Sequence, residues 1–253
     1  MKITICHLYP EQMNIYGDRG NVISLLRWAE WSGLEVEVKR VGLGERPDFR
    51  RFDVLFLGGG QDREQALIAR DLAEVKAQSL AAAVEDGLPL LAVCGGYQLL
   101  GRYFKTGSGA LLPGIEVFDA WTVAGSRRCI GDVIARCDLD GRCHTLVGFE
   151  NHSGKTYLGS RARPLGRVLC GYGNNAEDGS EGAVYRHAVG TYLHGSLLPK
   201  NPWLTAYLIV CAVERRYGSA ASLRPVDDSV ENLAHQAILS RIRQRGRVDT
   251  SAI

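Results

Sequence analysis

The sequence is short of the features that mark several functional classes, and each shortage removes one of them. Thirty basic side chains stand against 28 acidic ones, a formal excess of only +2. No charge field therefore exists to draw the chain onto nucleic acid or an acidic lipid surface. No stretch approaches the ~18 unbroken apolar residues of a membrane-spanning helix. Met1-Lys2-Ile3-Thr4-Ile5 enters an apolar, β-branched segment directly, without the charged region and apolar run of an export signal. A cytoplasmic protein is the expectation. Internal repeats, low-complexity tracts and long linkers are also missing. A chain of 253 residues with ordinary composition can bury a full core unaided, so one domain is expected over 1–253.

The cysteines lack a framework pattern. There are seven (Cys6, Cys94, Cys129, Cys137, Cys143, Cys170 and Cys211), and an odd number in a cytoplasmic chain argues for free thiols. Cys129, Cys137 and Cys143-His144 cluster in the chain, but no Cys-x-x-Cys pair accompanies them, and no metal is expected. A phosphate-cradling G-x-x-x-x-G-K-[ST] loop is missing too. Gly58-Gly59-Gly60 leads into Gln61-Asp62, so nothing here activates an acceptor with ATP.

What is present begins with alternation. Residues 2–8 read as a strand, 21–32 as a helix stopped by Gly33, and 34–41 as a half-solvated strand. Residues 53–60 form a buried strand closing in three glycines; 62–86 read as one long helix ended by Gly87, and 88–93 as another buried strand. This is the pattern of an α/β protein with a doubly wound, mostly parallel sheet. Residues 111–193 are dotted with glycine and rich in short β-like runs. Antiparallel hairpins added to the sheet edge explain them, as does a small β subdomain. C-terminal helices follow over about 202–243. Asn201 and Pro202 open the first; Asp228 and Glu231 have capping-box spacing for the second. Arg241, Arg243, Arg245 and Arg247 make a basic C-terminus, most simply a solvated face and tail.

The most informative stretch is Leu90-Leu91-Ala92-Val93-Cys94-Gly95-Gly96-Tyr97-Gln98. A buried strand ends, a cysteine follows, and two glycines open a helix: a nucleophile elbow with sulfur in place of oxygen. The turn lifts the thiol at the carboxyl edge of the sheet, where α/β folds bind ligands. Free N–H groups at the helix start favour thiolate and stabilise an oxyanion. The plainer alternative is a packed thiol beside a tight turn. A thiolate needs a base. His194 ends the β-like run GTYLHG (190–195), while His152, in GFENHSG (148–154), also sits in an edge-loop pattern; spacing leaves both open.

The Cys94-Gly95-Gly96-Tyr97-Gln98 turn, the glycines at 58–60 and the late His194 together resemble the class I (triad) glutamine amidotransferases, and among them the cobyric acid synthase-like branch. NIYGDRGN (14–21), GGGQD (58–62), GFENHSG (148–154) and LPKNP (198–202) resemble more narrowly its glutaminase subunits of lipid II-amidating synthases. The resemblance runs from the N-terminus to about residue 217. It implies a flavodoxin-like amidotransferase fold, with Cys94 attacking glutamine and His194 moving the proton. It also implies an oxyanion hole from Gly95 and the Gly59-Gly60 turn, with Gln98 and Arg128 on the substrate. It further implies no cofactor in this chain; a Mur ligase-like (MurT-type) partner would carry ATP and Mg and form a heterodimer. Many class I members carry Glu two residues after the catalytic His; here that position is Ser196. Asp18 is the candidate third member, with a helix N-cap as its other reading. A cobalamin-type acceptor, or a non-catalytic flavodoxin-like module with Cys94 as a redox sensor, are the competing functions.

Overall fold

The computed structural model describes residues 1–139 and 141–244. Two sheets carry the architecture. The first contains β1 (Lys2–Leu8), β2 (Glu35–Val41), β3 (Val54–Leu57) and β4 (Leu90–Val93). The helices between these strands are α1 (Arg19–Trp31), α2 (Asp62–Asp71), α3 (Ala77–Glu85) and, after β4, α4 (Gly95–Leu99). The second sheet holds β5 (Tyr103–Lys105), β6 (Leu111–Pro113), β7 (Ala120–Asp138), β8 (Cys143–Leu158), β9 (Gly166–Cys170) and β10 (Ser180–Glu181). The chain then returns to the first sheet as β11 (Ala183–Tyr185) and β12 (Ala188–Thr191), and closes with α5 (Pro202–Tyr217) and α6 (Ser229–Gln244).

The first sheet runs β11-β12-β4-β3-β1-β2, parallel except for the β11–β12 hairpin. Chain order reverses between β1 and β3. Because parallel crossovers are right-handed, α1 and α3 fall on opposite faces of this sheet. The loops after β1, β3, β4 and β12 meet at its carboxyl edge, where such a reversal opens a crevice. β3 and β4 are buried at every position, as strands covered on both faces must be.

Most of the region 111–193 joins β5 in a separate, mostly antiparallel sheet of order β10-β9-β7-β5-β6 with β8 paired to β7, while its last strands, β11 and β12, belong to the first sheet. It is the subdomain reading, rather than hairpins on the first sheet's edge, that matches the strand pairing. Among the described residues, only β11 adds an antiparallel strand to the first sheet.

Residues 62–86 depart from a single regular helix. A π-helical turn, Leu72–Lys76, separates α2 from α3. Such a turn places residues five apart on one face, and Lys76 and Asp71 are an ion pair at that spacing. Lys76 is fully buried, and Tyr9 Oη donates to the same Asp71 carboxylate at 2.6 Å. The extra residue gives the buried ammonium a partner that a regular helix would have left out of reach.

Both expected N-caps are corrected. Asn201 stands at the cap position of α5, but its side chain makes no cap bond. Instead Oδ1 accepts from the Val147 N–H at 2.9 Å, and Nδ2 donates to the Val147 and Leu197 carbonyls, both at 2.8 Å. At α6, Asp227 Oδ1 rather than Asp228 accepts from Ser229 N–H, at 3.0 Å, and Asp228 Oδ1 is buried without a partner among the described residues. Of the basic C-terminus, Arg241 pairs with Asp132 at 2.7 Å; Arg245 and Arg247 lie outside the described residues.

The outer edge of β8 is covered by the segment that follows β12. His194 and Phe149 exchange backbone hydrogen bonds at 2.7 and 3.4 Å, Asn201 holds Val147, and Trp203 Nε1 donates to the Thr145 carbonyl at 3.0 Å. Alternate residues of a strand present their backbone to one edge, so 145, 147 and 149 form one row. This row fastens the second sheet to the first. Asn201→Ala orphans both polar groups of Val147 and is expected to cost about 2–4 kcal/mol, measured by urea unfolding; a loss below ~0.5 kcal/mol would contradict the clamp.

Candidate active site

The site is built where β4 stops. Cys94 has φ 48° and ψ −105°, a conformation that residues bearing a Cβ rarely adopt. The strain of the elbow therefore sits on the cysteine itself. Its N–H donates to the Thr191 carbonyl at 2.8 Å, tying the elbow to the end of β12. The two glycine clusters read from the sequence face one another. A Cβ on Gly96 would lie 2.7 Å from the Gly58 carbonyl oxygen, and Gly96 N–H donates to that oxygen at 3.2 Å. Glycine is required there by close approach, not by an unusual φ.

His194 is fully buried. Its Nδ1 lies 3.3 Å from Asp18 Oδ1, and Nε2 has no hydrogen-bond partner among the described residues, which leaves it open for proton transfer. Asp18 is also fully buried. It occupies the N-cap position of α1 but makes no cap hydrogen bond; its second oxygen, Oδ2, accepts from Gly59 N–H at 2.6 Å. One carboxylate thus holds the imidazole and the glycine turn together. A Cβ on Gly59 would stand 2.7 Å from His194 Cε1, so this turn too must be bare. Burial opposes a charged imidazole, but the electrostatic pull of Cys94 and then the Asp18 carboxylate outweigh it. His194 is held protonated well above the ordinary histidine range. At the position of the usual Glu, Ser196 Oγ donates to the Gly17 carbonyl at 2.7 Å, closing the Asp18 loop against the histidine loop.

The expected oxyanion donors divide. Gly59 is corrected: its N–H is committed to Asp18. Gly60 and Gly95 remain, and they are adjacent, since a Cβ on Gly95 would lie 3.0 Å from the Gly60 nitrogen. Backbone donors fixed beside a nucleophile can hold an oxyanion without reorganising.

Cys94 opens into a cleft of about 600 Å³, whose walls include Tyr16, Gly60, Gln98, Arg128, Asn151 and His152. That volume admits an amino acid with its solvent. Gln98 forms the floor rather than a reaching group: its amide donates to Tyr192 Oη at 3.0 Å, and its carbonyl accepts from Gln65 at 2.8 Å. His152, the alternative base, is stacked on Tyr192 at 3.6 Å, with Nδ1 on the Gly154 carbonyl at 2.7 Å and Nε2 facing Glu150. Both its ring nitrogens are engaged away from the thiol. Arg128 stands exposed at the mouth, within the stretch between Ala124 and Cys129 where the β7–β8 register slips; bulges re-aim side chains in this way. Among the described residues, no group of three His, Cys, Asp or Glu is placed to hold a metal, and no helix is long and apolar enough to cross a membrane.

Sequence reasoning passed over Tyr16, Asn151, Gln65 and Glu181. Only the run NIYGDRGN could have drawn attention to Tyr16. Glu181 has no sequence signal; it is fully buried beside β12, where Oε1 accepts from Thr191 Oγ1 at 2.6 Å and Tyr192 N–H at 2.9 Å, while Oε2 has no partner among the described residues. Burial pushes this carboxyl up to about 7. Its folded pKa exceeds the unfolded one near ~4.3, so the folded state keeps the proton longer. The stability this confers is complete below the unfolded value and is lost as pH rises through about 7. Relative to Glu181→Gln, the wild-type melting temperature is expected to fall as pH rises through that window; parallel curves would contradict the assignment.

Comparison with known proteins fits this geometry. Residues 4–202 match the CobB/CobQ-like glutamine amidotransferase domain. The chain is 40% identical over 244 residues to the lipid II isoglutaminyl synthase (glutamine-hydrolyzing) subunit GatD of Staphylococcus aureus, spanning 96% of this chain and 98% of that one. Against the Streptococcus pneumoniae subunit of the same name it is 40% identical over 229 residues, 90% and 86% of the two chains. A probable cobyric acid synthase of Methanocaldococcus jannaschii shares 31% over 121 residues, only 24% of that protein. Among solved structures, PurLQS of Thermotoga maritima superimposes with a TM-score of 0.56 at 17% identity, covering 96% of this chain and 100% of that one. The glutaminase domain of Trypanosoma brucei CTPS with bound acivicin gives 0.53 at 10% identity, covering 88% and 100%; both likenesses are of fold. With the family match spanning most of its length, the chain belongs to the CobB/CobQ-like glutamine amidotransferases.

Proposed function

We propose that this chain is a glutaminase subunit that hydrolyses L-glutamine to glutamate and ammonia for a Mur ligase-like (MurT-type) synthase subunit. The observation that carries the reading is the buried Asp18–His194 contact, with the charge of Cys94 acting on the same ring and Cys94 opening onto the cleft. The acceptor is inferred from the relatives named as subunits of lipid II isoglutaminyl synthase, alike over nearly the whole chain. The partner would hold ATP and Mg and activate the D-glutamate α-carboxyl of the lipid II stem peptide, which ammonia converts to D-isoglutamine. The chain itself carries no cofactor in this reading, acts as one glutaminase domain and works in the cytoplasm as half of a heterodimer.

The chemistry follows from the groups in the cleft. Arg128 grips the α-carboxylate of glutamine and aims the side-chain amide at Cys94. Sγ attacks the amide carbon, and the carbonyl oxygen, now an oxyanion, accepts from Gly60 and Gly95 N–H. His194 delivers its proton to the nitrogen, the C–N bond breaks, and ammonia leaves a γ-glutamyl thioester. Water then attacks the thioester with His194 as base, releasing glutamate and restoring the thiolate–imidazolium pair. Asp18 keeps the ring oriented and its charge stabilised throughout.

The test uses the chain co-purified with its Mur ligase-like subunit. Cys94→Ala and His194→Ala are each expected to lower glutamine hydrolysis by about 10³-fold or more, and Asp18→Asn by roughly 10²-fold. Lipid II amidation from added ammonium should survive in the Cys94 variant. Glutamine turnover that persists without Cys94 overturns the glutaminase reading; ammonia release without lipid II amidation redirects it to another acceptor.

A further inference from the structure

Three hydrogen-bonding groups at the cleft mouth are arranged in series, and the mechanism above uses only one of them. Arg128 Nε donates to Asn151 Oδ1 at 2.6 Å. Asn151 Nδ2 donates to Tyr16 Oη at 2.9 Å. The Tyr16 ring meets the His194 imidazole edge-on, with centroids 5.0 Å apart and planes at 74°. Tyr16 is about half exposed, yet its backbone is left-handed, at φ 52°, a conformation an aromatic residue holds only where its surroundings impose it. Asn151 lies two residues beyond Phe149, whose backbone pairs with His194. The anchor of the arginine and the seat of the catalytic histidine are therefore one stretch of β8.

This arrangement has a chemical consequence for the guanidinium. Its Nε–H is already occupied, and neither terminal nitrogen has a partner among the described residues. A carboxylate can then be taken only end-on, by the two Nη groups, and not along the Nε–Nη side. Presentation through one edge fixes both the distance and the angle at which a carboxylate is held.

We propose that Asn151, braced by Tyr16, is a positioning residue that sets the specificity of the cleft for a free α-carboxylate. It orients Arg128 for end-on binding and links that orientation to the ring over His194. This rests on the glutaminase reading, since it takes glutamine as the ligand. Asn151→Asp is the informative change: the new carboxylate would form its own ion pair with Arg128, occupying the group that should read the substrate. Tyr16→Phe keeps the ring against His194 and removes only the brace.

The test measures binding rather than turnover. L-Glutamine and L-glutaminamide, in which the α-carboxylate is a neutral amide, are titrated calorimetrically into the full chain carrying Cys94→Ala. L-Glutamine is expected to bind at least about tenfold more tightly. Adding Asn151→Asp should collapse that preference to within about threefold, and Tyr16→Phe should reduce it part of the way, with melting temperatures unchanged. A purely structural Asn151 would weaken both ligands in parallel, and a preserved ratio overturns the proposal. Collapse of the ratio, alongside no glutamine hydrolysis by the unsubstituted chain with its Mur ligase-like subunit, would keep this inference and sink the glutaminase reading. Failure of L-glutamine to bind at all would sink both.

Discussion

The site depends on what one buried carboxylate does with its two oxygens. Asp18 takes the His194 ring on one and the Gly59 N–H on the other. A carboxylate without water must be satisfied locally or lose its charge, and here its partners are the His194 ring and the glycine turn that faces the elbow. If the aspartate is displaced, the imidazole loses its orientation and the glycine turn loses its distance from the elbow. That coupling also explains why two glycine clusters some 35 positions apart in the chain must both be bare. The turn can approach the histidine and the elbow only if no side chain intervenes.

A second constraint keeps the histidine where the carboxylate needs it. His194 follows the last residue of β12 by three positions and is paired through its backbone to Phe149 of the second sheet. Asn201 continues the same seam to Val147. The second sheet is thus more than an ornament on an α/β core. It supplies the wall of the cleft, the arginine at its mouth and half of the seating of His194. Functional sites need such support from elements that are themselves rigid.

Much of this was legible in the chain. Four apolar residues running into Cys94-Gly95-Gly96 identify the elbow because only a buried strand meeting a helix makes that pattern. The parallel sheet follows from strand and helix alternation for the same reason. The second sheet was less legible, since short β-like runs do not say which sheet they join. The π turn at Leu72–Lys76 was invisible because its cause, a buried Lys76–Asp71 pair against Tyr9, is tertiary. Asn201 and Asp228 looked like caps because their residue types and positions fit; the structure gives Asn201 to β8, where two orphan backbone groups were the stronger demand. Spacing gave His194 only a modest lead over His152. What separates them is that Glu150 and Gly154 hold one, while Asp18 holds the other.

The central claim is that Asp18 and Cys94 together hold His194 as a buried imidazolium. Nitrogen-15 NMR of the His194 ring across a pH titration measures it directly. The account predicts a ring that stays protonated well above the ordinary histidine range, and that loses its proton at lower pH once either Cys94→Ala or Asp18→Asn removes a stabilising charge. A ring that titrates like a free histidine and ignores both substitutions would contradict it.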